Sequence, residues 1–292
     1  MSPPADRNRF LDAASLGSYR LGAFAAKVMP GPIAEAAAAP LGFGANVASA
    51  AKREMFHRHL RRVNPKMGRA SMRVATQMAF DSYARYYVES FRLPTLSKAA
   101  VERGFTKDGY EHITEGLAKG NGVILALPHL GGWEWAGRWM TDQGHRLTVV
   151  VEALEPPELF EWFADLRKDL GMTVVPLGPG AGSAVLKALR ANEVVCLLSD
   201  RDLDRTGPEV DFFGERTTLP AGPATLSIRT GAPILPTGVY FTLGIRVITR
   251  SCARRSRSTA AVASAPTSSA SPNCSPTSSS SSSAARRSSG IS

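Results

Sequence analysis

Short apolar runs alternate with helix-like segments from residue 121 to 200, and this alternation restricts the fold more than any other feature of the chain. The runs are rich in β-branched residues and bounded by polar residues or glycine, which is typical of buried strands. The predicted strands are 122–128, 147–153, 173–177, 194–200 and a final one at 234–241, and the predicted helices are 132–142, 156–171 and 182–192. Such alternation predicts an α/β fold with a mostly parallel central sheet flanked by helices.

The region before this alternation has a different pattern. Residues 1–16 are polar and contain proline, so we predict a flexible lead-in there. Residues 17–118 are predicted to be mainly helical, most clearly from Ser71 to Phe91, where apolar and aromatic side chains recur at helical spacing. We therefore expect one domain over 17–243, in which an N-terminal helical portion precedes an α/β part at 121–243.

The composition changes sharply after Phe241. Residues 251–292 contain no aromatic residue, no leucine and no methionine, so they cannot bury a core, and we predict a disordered, low-complexity tail over 244–292. Two interpretations stay open: a natural flexible tail, or a reading frame lost near Gly244, where the strand pattern stops abruptly. A lost frame would leave the apolar strand at 234–241 as an exposed, aggregation-prone edge.

Charge and cysteine usage exclude several classes of protein. The net charge is +10, but seven of these charges come from arginines after Gly244, so the rest of the chain is only mildly basic. Of the three cysteines, Cys196 lies in an apolar run and is expected to be a buried thiol. No cysteine spacing indicates a disulfide framework or a zinc site. The apolar stretch Leu21–Ala51 is interrupted by charges and prolines before it reaches the roughly 20 residues of a membrane span.

A basic amphipathic segment follows that apolar stretch. Lysines and arginines interleave with apolar side chains over 52–69, a pattern that is typical of helices bound to anionic membrane surfaces. An ordinary solvated helix face is an equally good interpretation of the same residues. Nucleic-acid binding is disfavoured, because the body of the chain carries little net charge and no DNA-binding motif is present.

His129 is the best candidate for a catalytic base among the five histidines. It directly follows the predicted buried strand 122–128, and Glu134 lies five residues further on. Open α/β sheets place their sites at the carboxyl ends of the strands, and a histidine oriented by a carboxylate can deprotonate a hydroxyl. A purely structural histidine is the alternative.

A block of alternating acidic and basic residues, Ser199 to Glu215, opens at the end of another predicted strand. It emerges at the same edge as His129 if the strands are parallel. Such a block usually forms its own ion-pair network, but here it could also orient an imidazole or bind an anionic substrate, with Asp200 and Arg201 as candidates. Glu152 ends the apolar part of the next predicted strand, 147–152, on the same edge, so it is expected to line the pocket of the acceptor substrate.

Several blocks in this order resemble the bacterial lipid A late acyltransferase family, and most closely its branch of phosphatidylinositol mannoside acyltransferases. The resemblance covers roughly residues 70–241. The matching blocks are Ser82-Tyr83-Ala84-Arg85-Tyr86-Tyr87, Phe91-Arg92-Leu93-Pro94, Leu127-Pro128-His129 to Glu134, Asp200-Arg201-Asp202, Glu209 to Glu215 and Leu219 to Ala224.

The resemblance implies that an acyl chain moves from acyl-CoA to a hydroxyl of a membrane glycolipid, the mannose of a phosphatidylinositol mannoside. It implies that His129 is the general base, that Glu134 supports catalysis, and that an acidic residue of the later block, placed at Glu209, holds the imidazole in the right tautomer. No covalent enzyme intermediate is expected, because the substrate hydroxyl takes the place of a serine nucleophile. No metal ion or cofactor is expected either, and acyl-CoA is a co-substrate.

Substrate contacts and location are also expectations. Likeness to the family suggests an anion or sugar contact for Arg167, and position suggests a phosphate or pantetheine contact for Arg201. We expect a peripheral protein on the cytoplasmic face of the plasma membrane. The alternatives are an acyltransferase acting on a lysophospholipid or another glycolipid, and an inactive, truncated lipid-binding remnant, because chains of this family continue with further strand and helix after Phe241.

Overall fold

The computed structural model describes residues 5–241 and 247–251. The helices are α1 (Ala5–Val28), α2 (Gly31–Ala48), α3 (Ala50–Val63), α4 (Arg69–Arg92), α5 (Lys98–Arg103), α6 (Tyr110–Leu117), α7 (Trp133–Asp142), α8 (Pro157–Asp169), α9 (Ala181–Arg190) and α10 (Gly222–Thr230). The strands are β1 (Phe105–Asp108), β2 (Val123–Leu127), β3 (Leu147–Val151), β4 (Met172–Pro176), β5 (Val194–Leu198), β6 (Glu209–Phe212), β7 (Glu215–Thr218), β8 (Ile234–Phe241) and β9 (Val247–Ser251).

The N-terminal helical portion is confirmed, and α4 is the helix on which α1, α2 and α3 pack. Met72, Thr76 and Phe80 recur every four residues along α4 and form its buried stripe. Helix α1 begins at Ala5, so residues 5–16, for which we predicted a flexible lead-in, are helical. None of the helices within residues 5–241 is both long and apolar enough to cross a membrane.

Seven strands form the central sheet, in the order β1-β9-β8-β2-β5-β3-β4. Neighbouring strands are parallel except for the pair β8 and β9, so the prediction of a mostly parallel sheet flanked by helices is confirmed. β2 is buried on both faces: Val123, Leu125 and Leu127 pack toward α7, whereas Ile124 packs toward α9. This two-sided burial explains why its sequence is a continuous apolar run.

The predicted boundary of the tail was wrong. Residues 247–251 lie within the range 244–292 that we predicted to be disordered, yet they form β9, which pairs antiparallel with β8 and parallel with β1. Three consecutive β-branched residues, Val247 to Thr249, favour a strand in a region whose overall composition is polar. β8 is consequently an inner strand and not the exposed edge that a lost reading frame would leave.

The rest of the predicted tail, residues 252–292, lies outside the described residues, so disorder there and a lost reading frame both stay predictions. Two further elements were not predicted. β1 interrupts the helical portion, and β6 and β7 form a separate two-stranded antiparallel hairpin within the charged block.

Candidate active site

Strand register brings His129 and Asp200 together. Leu127 at the end of β2 pairs with Leu198 at the end of the neighbouring parallel strand β5. The ladder continues one step further, because the backbone N–H of Ser199 donates to the carbonyl of Leu127 over 2.9 Å. His129 and Asp200 each lie two residues beyond the paired strand ends, so both side chains emerge at the carboxyl edge of the sheet.

The Asp200 carboxylate holds His129 by two atoms. Its Oδ1 lies 2.8 Å from Nδ1 of the imidazole, and its Oδ2 accepts the backbone N–H of His129 over 3.1 Å. Partial burial would raise the pKa of Asp200, but these hydrogen bonds from His129 outweigh it and hold that pKa below its usual range. A carboxylate at Nδ1 favours the tautomer that carries its proton there, which leaves Nε2 able to accept a proton. The imidazole is 45% exposed, so it is accessible to a substrate.

Gly131 allows the turn that carries the chain from His129 into α7. Its φ is +60°, in the left-handed region that favours glycine, and a Cβ there would collide with the carbonyl oxygen of Val239 on β8. The loop therefore runs directly over the neighbouring strand, which fixes the position of His129 above the sheet.

Glu134, which we expected to support catalysis, is buried and binds Tyr86 and Arg167. Its side chain is 1% exposed and lies in the first turn of α7, where Oε1 accepts hydrogen bonds from the Tyr86 hydroxyl (2.7 Å) and from Nη2 of Arg167 (3.0 Å). Burial raises the pKa of Glu134, while Arg167 and Tyr86 oppose that rise. Burial also raises the pKa of Tyr86 well above its usual value. This buried group joins α7 to α4 and α8.

Arg167 links the buried group to an open cavity. Its guanidinium lies over the ring of Trp133, 4.9 Å from the centroid, and is 11% exposed. Arg167 also lines a cavity of about 520 Å³ that contains His129. Eight of its nineteen lining residues are aromatic: Tyr19, Phe56, Tyr83, Tyr86, Tyr87, Trp133, Phe163 and Phe241. A cavity with aromatic walls, a basic group and an accessible imidazole can hold an amphiphilic substrate.

Glu152 and Arg201 lie at the rim of this cavity, as their positions at the ends of β3 and β5 predicted. They form an exposed ion pair with Nη1 of Arg201 3.3 Å from Oε2 of Glu152. Because exposed pairs of this kind are weak, either side chain can exchange its partner for a charged substrate group.

The structure does not place Glu209 at the imidazole. Glu209 lies on β6 and faces Arg216 of the same hairpin at 3.5 Å, whereas Asp200, which we had counted among the substrate-binding residues, takes the position beside His129. The physical reason is the strand register: Asp200 directly follows β5, and Glu209 lies beyond a further loop.

An apolar pocket of about 40 Å³ lies between the sheet and α7. Leu125 of β2, Val149 of β3 and Met140 of α7 line it, and Trp133 lines both this pocket and the larger cavity. Within residues 5–241, no group of three histidine, cysteine or acidic side chains could hold a metal ion.

Sequence reasoning missed the partners that come from α4. Tyr86, which donates to Glu134, and Tyr83 and Tyr87 in the cavity wall lie on one side of that helix. Their recurrence at spacings of three and four residues is visible in the sequence, where it indicates a helix and a family resemblance but does not show that these side chains face the site.

A family model and two curated proteins from mycobacteria are similar to this chain. The family model described as "Bacterial lipid A biosynthesis acyltransferase" matches residues 13–256. A Mycobacterium tuberculosis protein named phosphatidylinositol mannoside acyltransferase is 45% identical over 168 residues, which cover 56% of this chain and 53% of that protein. A Mycolicibacterium smegmatis protein of the same name is 38% identical over 205 residues, which cover 68% and 67% of the two chains. The match thus spans about half the length of the first relative.

Proposed function

The chain belongs to the bacterial lipid A biosynthesis acyltransferase family, and we propose that it transfers a fatty acyl chain from acyl-CoA to a mannose hydroxyl of a phosphatidylinositol mannoside. The names of its relatives support this acceptor. The observation that carries the proposal is the pair of His129 and Asp200, with the imidazole lining an open cavity of about 520 Å³.

In the proposed reaction, Nε2 of His129 takes the proton from the sugar hydroxyl as its oxygen attacks the thioester carbonyl. The new C–O bond forms, the C–S bond breaks, and the imidazolium returns the proton to the departing thiolate of CoA. Asp200 holds the ring in its tautomer and stabilises the imidazolium while it carries the extra proton. The substrate hydroxyl is itself the nucleophile, so no acyl-enzyme forms. The cysteine in β5 is unsuited to that role, because burial raises the pKa of Cys196 to about 12.

Glu134 is a positioning residue in this proposal. Its carboxylate fixes Arg167 and Tyr86, and through them the cavity wall. Within the described residues, the buried Nε of Arg167 has no hydrogen-bond partner, and Arg167 lines the cavity. The exposed part of the Arg167 side chain, 11% of its surface, can donate to a substrate oxygen from the sugar or from a phosphate.

The acyl-CoA donor and the membrane surface would each contact a further part of the protein. The apolar pocket beside Trp133 suits the end of an acyl chain, because its lining is almost entirely hydrocarbon. Arg201 at the rim suits a phosphate or the pantetheine arm of acyl-CoA. The basic helix α3, which has no buried residue, suits the anionic surface of the membrane that holds the acceptor, with the protein bound peripherally.

The test is acyl transfer by the purified full chain from palmitoyl-CoA to a mannosylated phosphatidylinositol. Two measurements detect the transfer: the amount of CoA thiol released and the mass of the lipid product. We expect His129→Ala to lose transfer and His112→Ala to retain it. His112 is the matched control, because it lies on α6, which ends shortly before β2 begins and is thus near the opposite edge of the sheet. Equal activity of wild type and His129→Ala would refute the assignment of the base.

The same assay separates the alternatives. A wild-type chain that transfers only to lysophosphatidylinositol would establish a different acceptor. A folded wild-type chain that binds palmitoyl-CoA without any transfer would favour the inactive lipid-binding remnant.

A further inference from the structure

The hairpin of β6 and β7 presents two exposed phenylalanines at its tip. Phe212 is 61% exposed and Phe213 is 56% exposed, and their rings contact each other edge to face with centroids 4.7 Å apart. Neither residue lines the cavity of His129 or the apolar pocket beneath α7. These two large apolar side chains lie on a hairpin whose other residues are mostly polar or charged, and they have no role in the core of the described residues.

The geometry of the turn makes these phenylalanines more unusual. Phe212 pairs with Glu215, so the loop consists of Phe213 and Gly214 alone, with φ values of +53° and +77°. Positive φ at both positions is a type I′ turn, for which Asn-Gly is strongly preferred. A bulky residue in the left-handed region is an outlier that hairpin stability does not explain. The local structure therefore favours a different residue from the one that is present.

A basic helix adjoins this hairpin. Nε of Arg62 on α3 donates to Oε1 of Glu215 over 2.6 Å, directly beside the tip. Within its 14 residues, α3 carries five lysines and arginines and one glutamate, and none of them is buried. Phe56 of the same helix lines the cavity of His129. A positively charged surface thus extends from the cavity to the hairpin.

We propose that the hairpin tip is a membrane-insertion element: Phe212 and Phe213 enter the interface of an anionic lipid bilayer while the basic residues of α3 bind its headgroups. The positive charge of α3 complements anionic lipid, and the two aromatic side chains supply the apolar contact that such a surface needs for firm binding. Docking by these two elements would turn the cavity of His129 toward the bilayer that holds the lipid acceptor. In that one respect the inference rests on the proposed function.

The experiment compares the binding of full-length variants to sedimented vesicles of equal parts phosphatidylglycerol and phosphatidylcholine. The test variant combines Phe212→Ser with Phe213→Asn, because asparagine suits the left-handed position and keeps the hairpin folded. We expect its affinity for these vesicles to fall about tenfold or more, since both apolar side chains are lost. The matched control is Ile228→Ser on α10, which removes another exposed apolar side chain, 83% exposed, shortly before β8 begins and thus near the opposite edge of the sheet. We expect the control to bind as the wild type does.

Three outcomes would overturn the proposal, and a fourth would refute the part played by α3. Equal binding of the wild type and the hairpin variant would show that the tip does not insert. Equal loss in the hairpin variant and in Ile228→Ser would show a nonspecific effect of lost hydrophobicity. A wild type that ignores anionic vesicles altogether would point to a protein or nucleic-acid partner for this surface and would also overturn it. Vesicles of phosphatidylcholine alone should bind the wild type more weakly, and equal affinity for them would refute the role of α3.

Failure of the proposed function and failure of the insertion proposal can be told apart, because acyl transfer and vesicle binding are measured separately. Vesicle binding requires no catalysis, so an inactive wild type can still show the difference between the variants. Conversely, transfer of an acyl chain to a soluble mannoside without vesicles should persist in the hairpin variant, because neither phenylalanine lines the cavity.

Discussion

The buried pair of Arg167 and Glu134 leads to a quantitative prediction for Arg167→Met. Methionine is a long apolar side chain that can still cover the rings of Trp133 and Phe163, but it removes the charge 3.0 Å from a carboxylate that is 1% exposed. Without Arg167, which opposes the effect of burial, the pKa of Glu134 rises further. Among side chains of the described residues, the ionised carboxylate then keeps the Tyr86 hydroxyl as its hydrogen-bond donor.

The size of the effect follows from proton linkage. Removing one partner of a buried ion pair costs about 3–5 kcal/mol. Protonation of Glu134 limits that cost to about 1.4 kcal/mol for each pH unit above the ordinary glutamate pKa of about 4.3, hence to roughly 3–4 kcal/mol at pH 7. A folded-state pKa above the unfolded value destabilises the fold only above the unfolded value, so the penalty grows as the pH rises from about 4.3 and falls below about 1 kcal/mol at pH 5. At pH 7 the melting temperature should fall by about 6–15 °C.

Thermal unfolding of the full chain, followed by circular dichroism at pH 5 and pH 7, measures this effect. Lys168→Met on the same helix is the control, because its ion pair with Asp165 is exposed, and we expect it to melt close to the wild type. Adding Glu134→Gln to Arg167→Met removes the titrating group, so the double variant should lose the extra pH dependence. A penalty for Arg167→Met that is absent at pH 7, or equally large at pH 5, would refute the reasoning.

Three further predictions concern the edge of the sheet. Asp200→Asn should lower the rate of acyl transfer about a hundredfold or more with little effect on the binding of acyl-CoA, because the imidazole loses the carboxylate that orients it; an unchanged turnover number in steady-state kinetics would contradict this role. The pKa of Asp200 is depressed in the folded state. The ionised carboxylate therefore stabilises the fold above the ordinary aspartate pKa of about 3.9, and this stabilisation is lost as the pH falls below that value. The difference in the free energy of unfolding between wild type and Asp200→Asn should consequently shrink in acid. Gly131→Ala should destabilise the fold by about 2 kcal/mol or more in urea titrations and displace His129, whereas Gly144→Ala, which also has positive φ but meets no neighbouring atom, should cost only about 1 kcal/mol.

The sequence predicts the strands that are buried on both faces, because their apolar runs leave few alternatives. β2, β3 and β5 lie within the predicted ranges, and α7 and α8 lie between them as expected. β1 has only Phe105 buried among four residues, so it provides no apolar run to recognise. Local composition cannot reveal such a strand, since its position depends on pairing with a distant segment.

In the candidate site, too, features set by neighbouring residues are predictable from the sequence, whereas contacts between distant segments are not. The position of His129 at a strand end follows from its neighbours in sequence, and the structure confirms that position. The choice between Asp200 and Glu209 as its partner depends on the register between β2 and β5, which no local pattern encodes. The inward orientation of Glu134 likewise depends on Tyr86 and Arg167, which come from two other helices.

The insertion of β9 between β8 and β1 has a consequence for the kinetics of folding. Phe105 pairs with Val247, roughly 140 residues later in the chain, and β1 has no other strand partner in the described sheet. During synthesis β1 emerges first among the strands, yet it can join the sheet only after β9, the last of them, has left the ribosome. Such a distant pairing is slow to form because the closure of a long loop must precede it. We therefore expect the attachment of β1 to be a late folding step. Until β9 has paired with β8, the edge of β8 is open to misassembly and to capture by chaperones.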